Sequence, residues 1–248
     1  MWWIPLAFAV EGMWLPEDLP SQAAAMGEQG FTGDVRTWAD LQRGPLGAVV
    51  SLGGCSASFV SADGLIITNH HCVTGYLQQA SLDKENLVDT GFLANSRAEE
   101  RSVGPGGRVM ILQRSDDVTA AMTGKLPDEP LARAEELERR EKDLLQRCER
   151  DGLRCRVVGD YEGMQYRQLA WIELRDLRLV MAPPSTVGNY GDQVDNWHWP
   201  RHAGDFAFLR AYAGPDGKPA AYAQENQPWK PKNYLPVAAA APGDGAFV

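Results

Sequence analysis

One stretch of the chain concentrates the residues that could do chemistry. Gly54-Cys-Ser-Ala-Ser-Phe-Val-Ser-Ala-Asp-Gly-Leu-Ile-Ile-Thr-Asn-His-His-Cys72 passes through two short β-like runs, with a turn at residues 61–64, into two adjacent histidines. An imidazole serves as a general base when it is held rigid and its other ring nitrogen is occupied by a carboxylate. A bond from Cys72 back to Cys55 at the start of the hairpin would supply the rigidity. Cys148 and Cys155 form a second close pair, and four cysteines spaced this way suit two disulfides in an exported protein. On the loop-entropy model the pairs contribute roughly 3 and about 2.5 kcal/mol. Neither pair has the C-x₂₋₄-C spacing of a structural zinc site. His70, His71, His198 and His202 raise a rival chemistry, metal-assisted hydrolysis. Pro200 opposes the helix that His198-x-x-x-His202 would need, and no Glu follows the first histidine as in H-E-x-x-H, so neither a metal nor any other cofactor is expected.

These groups need a β scaffold to position them. Residues 47–52, 55–60, 65–68 and 108–113 read as strands, with Gly64 at the turn position that tolerates a left-handed backbone, and a helical turn is expected over 69–79. Residues 155–158 and 168–174 read as further strands, or as a strand and a helix. The segment 181–184 breaks the pattern, a Gly/Asn/aromatic loop fills 187–200, a clear strand spans 205–212, and 214–217 is a turn. Residues 234–237 and 246–248 look like later strands, whereas 11–45 reads as irregular with one short helix. One segment differs in kind. Over 127–151, Leu131, Ala134, Leu137, Leu144 and Cys148 recur at helical steps, Pro130 suits a first turn and Gly152 a stop. Two heptads are too few for a coiled coil, so a solvated helix packed by one stripe on its own protein is expected. Strands outnumber helices, and the fold is read as mainly β.

Composition narrows the class further. Among 248 residues, 44% are hydrophobic and 23% charged, which fits a globular chain and excludes wholesale disorder. Twenty-four basic against 33 acidic residues give a net charge of −9, the wrong sign for a nucleic-acid or anionic-membrane binder. The apolar stretch 2–10 is too short to span a bilayer. Ala7-Phe8-Ala9 has the small-x-small pattern of a signal-peptidase site, so residues 1–9 read as a signal peptide missing its first residues, with a buried strand as the alternative. With the paired cysteines, this points to a periplasmic or secreted protein. The closing run 246–248 is expected to be a strand cut short, leaving apolar surface uncovered.

The Thr-x-x-His-Cys segment resembles the histidine segment of the chymotrypsin/trypsin-like serine peptidases. In that pattern the catalytic histidine directly precedes the cysteine, which selects His71 over His70. The resemblance also asks for a downstream aspartate at the head of a strand. Asp205 in Gly204-Asp-Phe-Ala-Phe-Leu-Arg210 meets it, with base before acid in chain order.

A wider resemblance rests on Gly188-Asn-Tyr-Gly-Asp-Gln-Val-Asp-Asn-Trp-His-Trp-Pro-Arg-His-Ala-Gly-Asp205, Glu11-Gly-Met-Trp-Leu-Pro16, Thr68-Asn-His-His-Cys72, the Asn86 to Glu100 segment and Lys218-Pro through Leu235-Pro236. Over essentially its whole length the chain is similar to the S46 family of bacterial dipeptidyl peptidases. That resemblance implies an exported, homodimeric serine exopeptidase that removes dipeptides from free peptide N-termini. It also implies a chymotrypsin-like double β-barrel, incomplete here, with a helical insertion. His71 matches the general base and Asp205 the residue that orients it. Asn196 and Trp197 match the residues that hold the substrate's α-ammonium group, since an amide oxygen and an aromatic face both favour a cation. Trp199 fits either that rim or core packing. The family's nucleophile lies in a Gly-x-Ser-Gly context, which does not occur here, and Ser56 and Ser58 stand in the wrong context and order. Residues 10–248 are therefore expected to be the N-terminal part of the peptidase, without its helical domain or serine, and inactive alone. Two other readings stay open: a Deg-type trypsin-like endopeptidase, which shares Thr-Asn-x-His, and a non-catalytic peptide-binding relative.

Overall fold

In the computed structural model, residues 14–82, 84–150, 152–191 and 198–244 are described, so the expectations for residues 1–9 and 246–248 lie outside the described residues. The Gly64 turn sets the first hairpins. Strands β1 (Val49–Ser51), β2 (Ser56–Phe59) and β3 (Leu65–Thr68) form an antiparallel meander. Gly64 sits at φ +70°, and a Cβ there would lie 2.8 Å from the Ala211 carbonyl oxygen and 2.9 Å from that of Trp229. Glycine is required both for the turn and for the close approach of the neighbouring chain.

The remaining strands are β4 (Phe92–Leu93), β5 (Arg101–Ser102), β6 (Val109–Asp117), β7 (Arg154–Asp160), β8 (Gln165–Leu174), β9 (Asp176–Ala182), β10 (Ala207–Ala213) and β11 (Gln227–Pro228). All join one sheet in the order β4-β9-β10-β3-β2-β1-β6-β8-β7, with β5 on β9 and β11 on β10. This order shows why the sheet must curl. β8 and β9 stand six steps apart along it, about 29 Å in a flat sheet. Yet Arg175 alone connects them, and two residues of extended chain reach at most about 7 Å. The two arms therefore close on each other around a shared core. Val50, Phe59, Ile66, Val109, Leu174, Leu177, Leu179 and Leu209, drawn from both arms, pack into one buried cluster. The expectation of a mainly β fold with a partial barrel is met.

Beyond the barrel, β6, β8 and β7 continue as a ribbon, with a register shift between Leu112 and Arg114. The inserted helix Pro130–Glu149 lies against this ribbon. Glu129 caps it by accepting the Leu131 and Ala132 backbone N–H groups, and Pro130 takes the first position, where no N–H is needed. Its stripe differs from the one expected. Leu131 and Ala134 are exposed, and burial is confined to the C-terminal half, where Gln168 donates to the Leu144 carbonyl at 2.9 Å and Cys148 is joined to Cys155.

Three further expectations are corrected. The break expected over 181–184 falls only at Pro183-Pro184, because β9 continues through Met181 and Ala182, while 168–174 takes the strand of its two readings. β9 carries Asp176 and Arg178, whose charges disguise a strand buried on both faces. Arg178 donates to both Asp176 oxygens at 3.0 and 2.8 Å and lies 3.7 Å from the Tyr212 ring centroid. Burial and the Glu100 carboxylate, which accepts the Tyr212 hydroxyl at 2.7 Å, push that tyrosine up to about 12. Residues 234–237 form no strand, although Leu235 donates one backbone bond to Phe59. The N-terminal segment is more helical than expected, with a 3₁₀ turn at Pro16–Gln22 and short helices at Ala23–Glu28 and Val35–Ala39.

Candidate active site

The site follows from strand register. β10 runs antiparallel to β3 with Ala207 opposite Thr68. Carried two residues further, the same register sets residue 205 against residue 70, where β3 gives way to the helix His70–Ala80. Thr68 ends the strand with its hydroxyl on the Ser56 carbonyl at 3.0 Å, and Asn69, in extended conformation, occupies the N-cap. The first N–H groups of a helix have no partner within it. Asp205 supplies one: its Oδ1 accepts the His71 backbone N–H at 3.1 Å.

Its other oxygen, Oδ2, lies 2.9 Å from His71 Nδ1 and accepts from Asn69 Nδ2 at 3.2 Å. The same amide also donates to the Asp205 carbonyl at 3.1 Å. The carboxylate is thus held by three donors and the imidazole by one carboxylate. Burial alone would push the Asp205 carboxyl up. The His71 backbone N–H, the His71 ring and Asn69 outweigh it and hold the group below the ordinary carboxylate range. The His71 side chain is 69% exposed, against 32% for Asp205. With Nδ1 engaged, the ring's remaining nitrogen is available to a reactant.

Cys72, next in the helix, is joined to Cys55 across 6.1 Å between Cα atoms, which ties the helix start to the β1–β2 hairpin. On the other side, the short helix Ser185–Gly188 leads into the Gly/Asn/aromatic loop. The Gly204 N–H returns to the Val187 carbonyl at 2.9 Å, which places the chain for Asp205. Asn196 and Trp197 lie outside the described residues. Trp199 is 70% exposed, which places it at the surface rather than in the core. Ser56 and Ser58 are built into β2.

Two residues here were not singled out by sequence reasoning. Asn69 carries a signal of its own, since an asparagine between a strand and a helix is an N-cap residue type. His70 enters the sequence reading only as an alternative to His71 or as a metal ligand, yet its side chain is buried and, among the described residues, its Nε2 has no partner. Among the described residues the four histidines do not assemble as a ligand set. The one group of three whose ligand atoms lie within 4.8 Å of one another combines His71 with Cys55 and Cys72, whose sulfurs are bonded to each other. No described helix is long and apolar enough to cross a membrane.

The family model of Peptidase S46 matches residues 9–248. Among curated proteins, the chain is 47% identical to an Asp/Glu-specific dipeptidyl-peptidase of Shewanella putrefaciens, over 98% of this chain and 34% of that protein. It is 38% identical to Dipeptidyl-peptidase 7 of Porphyromonas endodontalis, over 93% of this chain and 29% of that protein. Among solved structures it is similar to Porphyromonas endodontalis DPP11 in complex with substrate, with a TM-score of 0.82 and 34% identity over 95% of this chain and 36% of that one. The chain therefore spans about a third of the length of the relatives it matches.

Proposed function

The chain belongs to the Peptidase S46 family, and on that premise we propose that it is the base- and acid-bearing part of a serine-type dipeptidyl aminopeptidase, which releases dipeptides from peptides with a free N-terminus. The observation that carries this reading is the grip of Asp205 on His71 at both the ring and the backbone. In the proposed reaction, His71 Nε2 takes the proton of a serine hydroxyl as that oxygen attacks the scissile carbonyl, then passes it to the leaving amine. Asp205 keeps the ring in the tautomer with Nδ1–H and stabilises the imidazolium. Asn196 and Trp197 receive the substrate's α-ammonium group, which sets the cut two residues from the N-terminus. The serine comes from outside these 248 residues, in which no Gly-x-Ser-Gly occurs. The oxyanion donors accompany it, so this polypeptide alone turns over negligible substrate.

The relative at 47% identity is named for Asp/Glu specificity, and the one at 38% is not. This difference favours an acidic residue at the second substrate position. The two disulfides support a periplasmic or secreted location, and a homodimer is proposed for the full-length form. The test is to incubate the full-length protein with matched peptides, free or N-acetylated, bearing Glu or Leu second. Dipeptide release from the free Glu peptide alone is the expected result. Equal cleavage of the acetylated peptide would replace this reading with the Deg-type endopeptidase. Binding without cleavage would replace it with the non-catalytic relative.

A further inference from the structure

His70 stands beside the proposed base but turns into the protein. It is 2% exposed, and its Nε2 makes no hydrogen bond among the described residues. Buried polar atoms nearly always find partners, so a ring kept here without one asks for another reason. Gly188 is the contact that defines its place. A Cβ added at Gly188 would fall 2.3 Å from His70 Cγ, 2.5 Å from Nδ1 and 2.7 Å from Cδ2, which no side chain could occupy without moving the ring. The imidazole therefore lies against bare backbone at the end of the Ser185–Gly188 helix.

That contact joins the two halves of the site. His70 begins the helix whose next residue is His71, and Gly188 follows Val187, whose carbonyl accepts the Gly204 N–H immediately before Asp205. Anything that changes the thickness of the His70–Gly188 layer moves the His71 backbone relative to the Asp205 loop. The same loop carries Asn196 and Trp197 in the sequence.

We propose that His70 is a positioning residue: its flat ring, seated on Gly188, is the spacer that sets the His71–Asp205 geometry. The inference rests on the catalytic reading of that pair. It acts through shape and not through proton transfer, because the ring is enclosed and faces backbone.

The experiment measures kcat and KM for dipeptide release by the full-length enzyme and five variants, one of them His71→Ala as the reference for a lost base. Gly188→Ala is expected to lower kcat by roughly ten- to a hundredfold with KM little changed, since displacements of about 1 Å cost on this order. His70→Ala should fall similarly. His70→Phe, which keeps a flat ring and removes both nitrogens, should recover activity to within about threefold of the unaltered enzyme. The double variant His70→Ala/Gly188→Ala should be faster than the product of the single effects predicts, because the added methyl enters the space the ring has left. Additive single effects, or His70→Phe as inactive as His71→Ala, would overturn the proposal. So would His70 variants that fail to fold alongside a folded Gly188→Ala enzyme of unaltered kcat. Absence of dipeptide release by the unaltered enzyme would instead count against the catalytic reading itself.

Discussion

Asp205 holds His71 at two points, accepting its backbone N–H at 3.1 Å through one oxygen and meeting its ring Nδ1 at 2.9 Å through the other. The first bond is available because residue 71 lies in the opening turn of a helix, where N–H groups lack intrahelical partners. The carboxylate that orients the imidazole therefore also caps the helix that carries it. Orientation of the ring and placement of its backbone are one event, and neither can be lost without straining the other.

Replacing Asp205 by Asn in the full-length enzyme should lower kcat by about 10⁴-fold, as expected when the base loses its tautomer control. KM should change little, since no substrate contact is removed. Steady-state kinetics on a free-N-terminus peptide checks both. A kcat within tenfold of the unaltered enzyme would contradict the orienting role.

The same carboxyl makes stability depend on pH. Its folded-state pKa is lowered, so the unfolded chain binds this proton more readily than the folded one. The contribution is present above the ordinary aspartate value of about 3.9 and is lost as pH falls through the lowered folded value. The stability difference between the unaltered protein and Asp205→Asn should accordingly narrow below about pH 4. Denaturant unfolding at neutral and acid pH measures it, and a difference that widens would contradict the assignment.

Opening the Cys55–Cys72 bond by a double Cys→Ser substitution should cost about 3 kcal/mol, the loop-entropy value for its 17-residue separation. The Cys148–Cys155 bond, spanning seven residues, should cost less. Denaturant midpoints of the two variants give the order directly. Only the first should also slow catalysis, because only Cys72 adjoins His71.

Arg178 is the counter-charge of the fully buried Asp176, whose one other side-chain partner among the described residues is the Asn226 amide at 2.9 Å. Arg178→Met strands that carboxylate and should cost about 3–5 kcal/mol, whereas pairing it with Asp176→Leu should restore part of the loss. Thermal unfolding of the single and double variants checks the difference. Equal melting temperatures would show that the pair is not coupled.

The parts of the fold that were legible in sequence are those whose cause is local. The Gly64 turn, strand β3 and the Pro130 helix start all rest on a backbone conformation or periodicity confined to a few residues. β9 was missed because Asp176 and Arg178 satisfy each other inside the protein, which no local pattern reports. The expected stripe of the inserted helix failed at Leu131 and Ala134 for a related reason: periodicity says which face is apolar, but not how far a neighbour extends along it.

The candidate site divides along the same line. The sequence by itself singled out an imidazole, a carboxylate and a cysteine pair at His71, Asp205 and Cys55–Cys72, because residue types and their immediate contexts point to them. Only the tertiary structure decided how they act together. The β3–β10 register brings residues 134 apart in sequence to hydrogen-bonding distance. It recruits Asn69 as a third donor and sets His70 against Gly188. Such contacts depend on strand pairing and packing between distant segments, and their energies have no expression in any one stretch of chain.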